Sequence, residues 1–377
     1  MKKFKLLTLI IALITALSFS IGCLNTGDGS VTEVPLNEEE VQKVTEVSEV
    51  LGVVSEVEIP DLSEAFGSSP ILPFSTSGGS NFTGLNSDKY TSLTMDFKIA
   101  TTSTQKYTFP DSFKAQPDFA LIGNLLSNVS VTSTLTGSVK ITEEALTIEY
   151  SSVSSVVEMG SAKTTMNTPL KIYIDENSQY VCYGGFDYTI KIEEETTDVG
   201  VIVEEYLGDL LGKWIDLGST FSNSALNSSF KEVFNSCVKA LTEEIDFYSD
   251  YLSENIDKKF VKKGGKYLLK SENFEEFTKS FIDRNEENTD NNLLETLFGD
   301  DFSYSYSGLS GSIEYDISNM NEPKISFNNA ITANASVSDN GETLGVTVTN
   351  NVSGYYNFKN INSTTITKPT EVFDWPR

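Results

Sequence analysis

The 377-residue chain contains no histidine. That removes Ser-His-Asp and Cys-His catalysis, histidine metal ligation and imidazole titration from its chemistry. Cysteine is almost as scarce: Cys23, Cys182 and Cys237 complete the inventory. Two cysteines beyond the first, without histidine, do not make a zinc site. Basic residues number 27 against 54 acids, a formal net charge of −27. Nucleic-acid binding needs a basic face, so bulk charge excludes it, and anionic surfaces repel the chain except where its few cations cluster. There is no Gly-rich phosphate loop and no Gly-x-Ser-x-Gly, since Gly308-Leu-Ser-Gly311 lacks the spacing. A protein that is not an enzyme and carries no cofactor or metal is expected.

What is present begins with the N-terminus. Lys2, Lys3 and Lys5 precede Leu6 to Ala16, which is apolar apart from Thr8 and Thr15. A basic start, a short apolar run and small residues up to Gly22-Cys23 read as an export signal. The run is shorter than the roughly 20 residues that cross a bilayer. With cysteine at its exit, the segment resembles a bacterial lipoprotein signal, in which the cysteine is lipidated and becomes the first mature residue. Ser20 stands where that pattern usually has leucine, a position that spirochaete lipoproteins relax. The resemblance implies residues 1–22 as signal, Cys23 as the lipid anchor to a membrane, and a place in the cell envelope, at the outer membrane or the periplasmic face. Each buried CH₂ of an acyl chain adds about 0.8 kcal/mol to such an anchor. Removing residues 1–22 takes away three lysines and no acid, so −27 becomes −30.

Residues 23–88 read as a tether. Asn37-Glu-Glu-Glu40 opens a helical spacing through Val41, Val44, Val47, Val50, Leu51 and Val54, with acids in the first turn where the helix dipole favours them. Gly67 to Asp88 is rich in Ser, Gly, Asn and Pro, as a linker is. Residues 89–377 then form one domain. From Tyr90 to Ile192 short β-branched and aromatic runs alternate with turn signals such as Gly137, Asp175-Glu-Asn177 and Gly184-Gly185, the pattern of an antiparallel meander. A helical insert follows at about 208–300. Its strongest helix is predicted over 230–260, with Ser229 and Glu232 at capping-box spacing and Gly264-Gly265 as its stop. KYLLK, Lys266 to Lys270, reads as a short strand, and two shorter helices follow, one with Phe274, Phe277, Phe281 and Ile282, the other with Leu293, Leu294, Leu297 and Phe298. Strands return from Phe302. The fold class expected is α+β: a strongly curved antiparallel sheet, a half-barrel, wrapped around the helical insert.

This order of elements resembles the LolA/LppX-like lipoprotein and lipid carriers. The phrases that carry the likeness are Lys213-Trp214-Ile215-Asp216-Leu217, Gly265-Lys-Tyr-Leu-Leu-Lys270, and Tyr355-Tyr-Asn-Phe358 running to Pro369. The resemblance implies a half-barrel with an apolar cavity for acyl chains, hence a lipid or acylated-lipoprotein ligand. On the long helix, Phe230, Val233, Phe234, Val238, Leu241 and Ile245 are the candidate lining. The same stripe would equally fill a dry core, as any amphipathic helix must. The alternative function is a surface lipoprotein that binds a host or envelope protein with no cavity at all. Cys182 and Cys237 permit a disulfide in an exported chain or stay as two buried thiols. Six lysines between Lys258 and Lys270 reverse the local charge; they suit either anionic headgroups or a helix C-terminus. The acidic stretches Glu193-Glu-Glu195 and Asp283 to Asp290 read as solvated faces.

Overall fold

Long runs of alternating polarity become long strands. The computed structural model describes residues 33–55, 89–115, 123, 126, 128–216, 245, 247–264, 266–280, 302–339 and 342–373. In chain order the strands are β1 (Val34–Pro35), β2 (Ser92–Thr108), β3 (Val129–Thr142), β4 (Ala145–Met159), β5 (Ala162–Asn167), β6 (Leu170–Asp175), β7 (Ser178–Tyr183), β8 (Asp187–Ile192) and β9 (Glu195–Asp198). They continue as β10 (Trp214–Asp216), β11 (Phe260–Lys263), β12 (Lys266–Leu269), β13 (Phe302–Asp316), β14 (Lys324–Asp339), β15 (Glu342–Lys359) and β16 (Val372–Phe373). The helices are α1 (Glu38–Ser55), α2 (Gly200–Leu207), α3 (residues 247–259) and α4 (residues 274–280), besides a single turn at Asp111–Lys114.

Among the described residues, sixteen strands join one curved sheet that does not close. Its order is β1-β11-β12-β13-β14-β15-β2-β3-β4-β6-β7-β10-β16, with β5, β8 and β9 extending from β4. Every pairing is antiparallel except the short one between β10 and β16. Strand β4 gives its first half to β6 and its second half to β5, and the chain bends between those two at Thr168-Pro169.

Register divides the sheet into two faces. Phe97 lies opposite Tyr356 on one side and Gly137 on the other. The inward face of β2 carries Leu93, Met95 and Phe97, all fully buried, while Lys98, Thr102, Thr104 and Lys106 on the outward face are exposed. The inward residues share one core with Val44, Val47, Val50 and Val53 of α1 and with Tyr248, Leu252 and Ile256 of α3. Gly137, expected as a turn, is mid-strand. A β-carbon there would meet the Phe97 ring at 2.7 Å, so glycine is what lets the ring lie flat on β3.

Helix α1 forms where the valine spacing predicts. Valine gives up at most about 0.7 kcal/mol of helix propensity per residue, whereas full burial of such a side chain gains roughly 1.5–3 kcal/mol. Burial wins, and the four valines seat α1 in the main core rather than in a free tether. Asn37 and Glu40 cap it reciprocally: Glu40 N–H donates to Asn37 Oδ1 at 3.0 Å and Asn37 N–H to Glu40 Oε2 at 3.1 Å.

The insert is described in part. It supplies β10, β11 and β12 as well as α3 and α4; residues 217–244 and 281–301 lie outside the described residues. Helix α3 stops at residue 259, not at Gly264-Gly265. Phe260 and Val261 pair with Leu269 and Leu268, and Gly264, at φ 59°, turns that β-hairpin. Buried β-branched and aromatic residues in ladder register override the helical reading there.

Candidate functional site

Of the candidate cavity lining, Ile245 is fully buried in the main core. Phe230, Val233, Phe234, Val238 and Leu241 lie outside the described residues, as do Cys23 and Cys237. Where the interior between α3, α4 and the sheet is described, aromatic rings fill it. Tyr251 and Phe277 meet edge to face at 4.7 Å, Phe247 and Phe277 at 5.2 Å, Phe327 and Tyr356 at 5.5 Å, and Tyr248 stacks on Phe327 at 5.7 Å. Such ring pairs contribute about 0.5–1.5 kcal/mol each beyond their burial. Cys182 is a free, buried thiol. Burial pushes its pKa up, and Lys171 offsets this only in part.

The lysine cluster is absorbed by the fold. Lys262 pairs with Glu40 of α1, Lys263 with Glu33, Lys266 with Glu314 and Lys259 with Glu276. Lys258 lies 3.8 Å from Asp257, and Lys270 donates to the Lys258 carbonyl near the end of α3 at 2.9 Å. These cations tie α1 and β13 to the β11–β12 hairpin, tie α4 to α3, and cap a helix. Lys259 also sits over the Tyr251 ring at 5.2 Å.

Open space appears elsewhere. A solvent-open cleft of about 690 Å³ forms where the β3–β4 turn, the start of β2, the end of β6 and the segment after β15 meet. That last segment is held by the Asn360 to Asn362 turn. Both of these asparagines adopt positive φ, at 52° and 58°, which asparagine tolerates better than other side chains. Asn362 fixes the segment to the β2 start: its N–H donates to the Ser92 carbonyl at 2.7 Å, its Oδ1 accepts the Thr91 N–H at 2.8 Å, and its Nδ2 donates to the Lys89 carbonyl at 3.1 Å. Thr364 N–H donates to Ser92 Oγ at 3.0 Å, and the Thr364 and Thr94 hydroxyls lie 2.8 Å apart.

At the other wall, Asp175 gathers three donors. Lys368 Nζ donates to its Oδ2 at 2.7 Å, the Tyr173 hydroxyl to the same oxygen at 2.8 Å, and Asn177 N–H to its Oδ1 at 2.8 Å. Lys368 also donates to Ser178 Oγ at 2.6 Å and lies over the stacked rings of Tyr173 and Tyr180. Burial pushes the Asp175 carboxyl up, but these hydrogen bonds and the Lys368 charge outweigh it and hold the pKa below its ordinary value. Lys368 is raised, first by its bond to Asp175. Desolvation, aided by Asp175, drives the Tyr173 phenol far above its usual range. The cleft floor is Ser92, Ala145, Tyr173 and Thr364, all buried; Glu143, Glu144, Ser363 and Thr365 stand exposed on its rim.

None of these cleft residues stands out in the sequence. They come from four stretches spread over residues 91–368, and Asp175-Glu-Asn177 reads only as a turn. No group of residues suited to a metal ion occurs among the described residues, nor is any of their helices long and apolar enough to cross a membrane.

No family model matches the chain, and no curated protein matches it. Among solved structures, the outer membrane protein OprG from Pseudomonas aeruginosa is similar at 8% identity, over 72% of this chain and 96% of that one, with a TM-score of 0.16. The outer membrane protease OmpT from Escherichia coli gives 5% identity, 70% and 96% coverage, and a TM-score of 0.13. Scores this low say nothing of function. The polarity of the long strands is more informative. A membrane barrel turns an apolar band outward, whereas here Lys98, Thr102, Thr104, Ser303, Ser305 and Asn351 are exposed, while Leu93, Met95, Phe97, Ile325 and Phe358 share one core with the helices.

Proposed function

We propose that the protein is a lipid-anchored binding protein of the cell envelope, with a filled core and a recognition surface on its outside. The N-terminal signal ending in Cys23 supports the anchor. The observation that carries the rest is the ring-packed interior between α3, α4 and the sheet, beside an open polar cleft at the ends of the strands. A binding site needs accessible volume with a few polar groups held in place, and among the described residues the cleft offers both. Bulk charge argues against nucleic acid as the partner.

The test uses the full-length protein expressed with its signal. Palmitate labelling and partition into the membrane fraction are expected in the wild type and lost in Cys23→Ser. Native mass spectra of the detergent-released protein, read beside organic extracts, should show no stoichiometric lipid beyond the anchor. Such a lipid would overturn the filled-core reading.

A carrier of acyl chains is the second reading, and one observation favours it. Ser103, on the inward face of β2, is fully buried and its hydroxyl has no hydrogen-bond partner among the described residues. An unpaired buried hydroxyl costs about 1–3 kcal/mol, and a ligand oxygen would relieve it. On this reading a stoichiometric lipid is extracted from the wild type and its occupancy falls in Ser103→Val.

A further inference from the structure

We infer that the cleft between the β3–β4 turn and the 360–368 segment is a saccharide site, taking a neutral polyhydroxylated ligand. The inference rests on reading this cleft as the protein's recognition surface and names what it recognises.

Volume comes first. About 690 Å³ lies within the range of small-molecule sites, roughly 300–1,000 Å³. Charge then narrows the class. The cleft's cation, Lys368, is neutralised by Asp175, while Glu143 and Glu144 on the rim form no ion pair among the described residues. A phosphate or carboxylate ligand would meet two carboxylates with no free cation to offset them. A fatty acyl chain is excluded for a different reason: Glu143, Glu144, Ser363 and Thr365 stand exposed around the cleft, and covering those polar groups with hydrocarbon costs free energy. A metal ion lacks a converging ligand set there.

What these groups match is a sugar. Rim carboxylates accept from vicinal hydroxyls through charge-assisted hydrogen bonds. Thr91, Ser363 and Thr365 hydroxyls both donate and accept, as sugar hydroxyls require. The scaffold is held before any ligand arrives, because Asn362 and Thr364 are already hydrogen-bonded to the start of β2, and Lys368 to Asp175 at the end of β6. Little ordering then opposes binding.

The experiment is titration of the full-length, detergent-solubilised protein by saturation-transfer NMR and calorimetry. The probes are neutral mono- and disaccharides, neutral polysaccharide fragments, inorganic phosphate and spermidine. Ser363→Trp fills the cleft from an exposed rim position, and its melting temperature checks the fold. Saccharide binding that weakens about tenfold or more in a folded Ser363→Trp protein is the expected result. Preference for monosaccharides over polysaccharide fragments identifies a free sugar as the ligand, and the reverse identifies a glycan chain. No saccharide bound, or binding unchanged by Ser363→Trp, overturns the assignment. If phosphate or spermidine binds instead and Ser363→Trp blocks it, the cleft is still the recognition surface and only the saccharide class falls. A stoichiometric extracted lipid sinks the underlying reading independently.

Discussion

At Gly354, a β-carbon would stand 2.5 Å from both the Lys98 carbonyl oxygen and a Phe327 ring carbon. Neither neighbour is the loose end of a flexible chain, since one is backbone and the other a core ring. Gly354→Ala should therefore lower stability by about 1–3 kcal/mol in urea unfolding, the usual cost of overpacking. Gly185→Ala, with nothing within 4 Å, should stay within about 0.5 kcal/mol and serves as the control. Asp175 gives a second prediction at this scale. Its carboxyl is held below its ordinary pKa, so its contribution is complete above about pH 4 and disappears as the pH falls through the lowered value. Asp175→Asn should melt below the wild type at neutral pH, and the gap should narrow in thermal melts taken toward pH 3. A constant gap would mean that the charge is not what matters. The sequence alone shows Asp175 only as a turn residue, because its partner Lys368 lies on a segment nearly two hundred positions away.

Among elements, α1 carries the clearest test. The valine period and the acids of the first turn are visible in the sequence, and the helix forms there. Its destination is not visible, because nothing in a stripe of valines says which apolar surface it will cover. Asn37→Ala should cost about 1 kcal/mol by removing the cap. Val47→Asp, at a site 1% exposed, should be far more damaging and expose the core to proteolysis, since an unpaired carboxylate has no partner there. A Val47→Asp protein as stable as the wild type would mean that α1 is not seated in the core. The β11–β12 hairpin makes the converse point. Its KYLLK strand is legible from composition, yet the long helical stripe before it runs on in sequence to Phe260, and only the pairing with Leu269 decides that Phe260 is strand.

For the molecule as a whole, charge and topology dominate. The described ion pairs are mostly exposed, and each such pair contributes at most about 1 kcal/mol, whereas the net charge of −27 repels itself across the whole fold. Screening should therefore help more than it harms, and the melting temperature should rise between about 10 and 150 mM NaCl. A fall would show that specific pairs, such as Lys262 with Glu40, outweigh the global repulsion. The sheet protects its margins in a related way. Its ends are the two-residue β1 and β16, and the fully exposed β9 carries acids at Glu195 and Asp198, which discourage pairing with another chain.

The sequence by itself determined the absent chemistries, the acidic character, the strands with their inner and outer faces, most turns and the helix of α1. Each of these is local, set by residue type and by periods of two or 3.6 along one element. Tertiary structure alone decided that β15 lies beside β2, joining residues more than two hundred positions apart such as Thr349 and Thr104. It also drew α1 into the core, spent the lysine cluster on ion pairs and gathered the cleft from four distant stretches. The physical reason is common to all of them. Periodicity records that a face is buried, but which surface buries it is settled by how all the faces fit together.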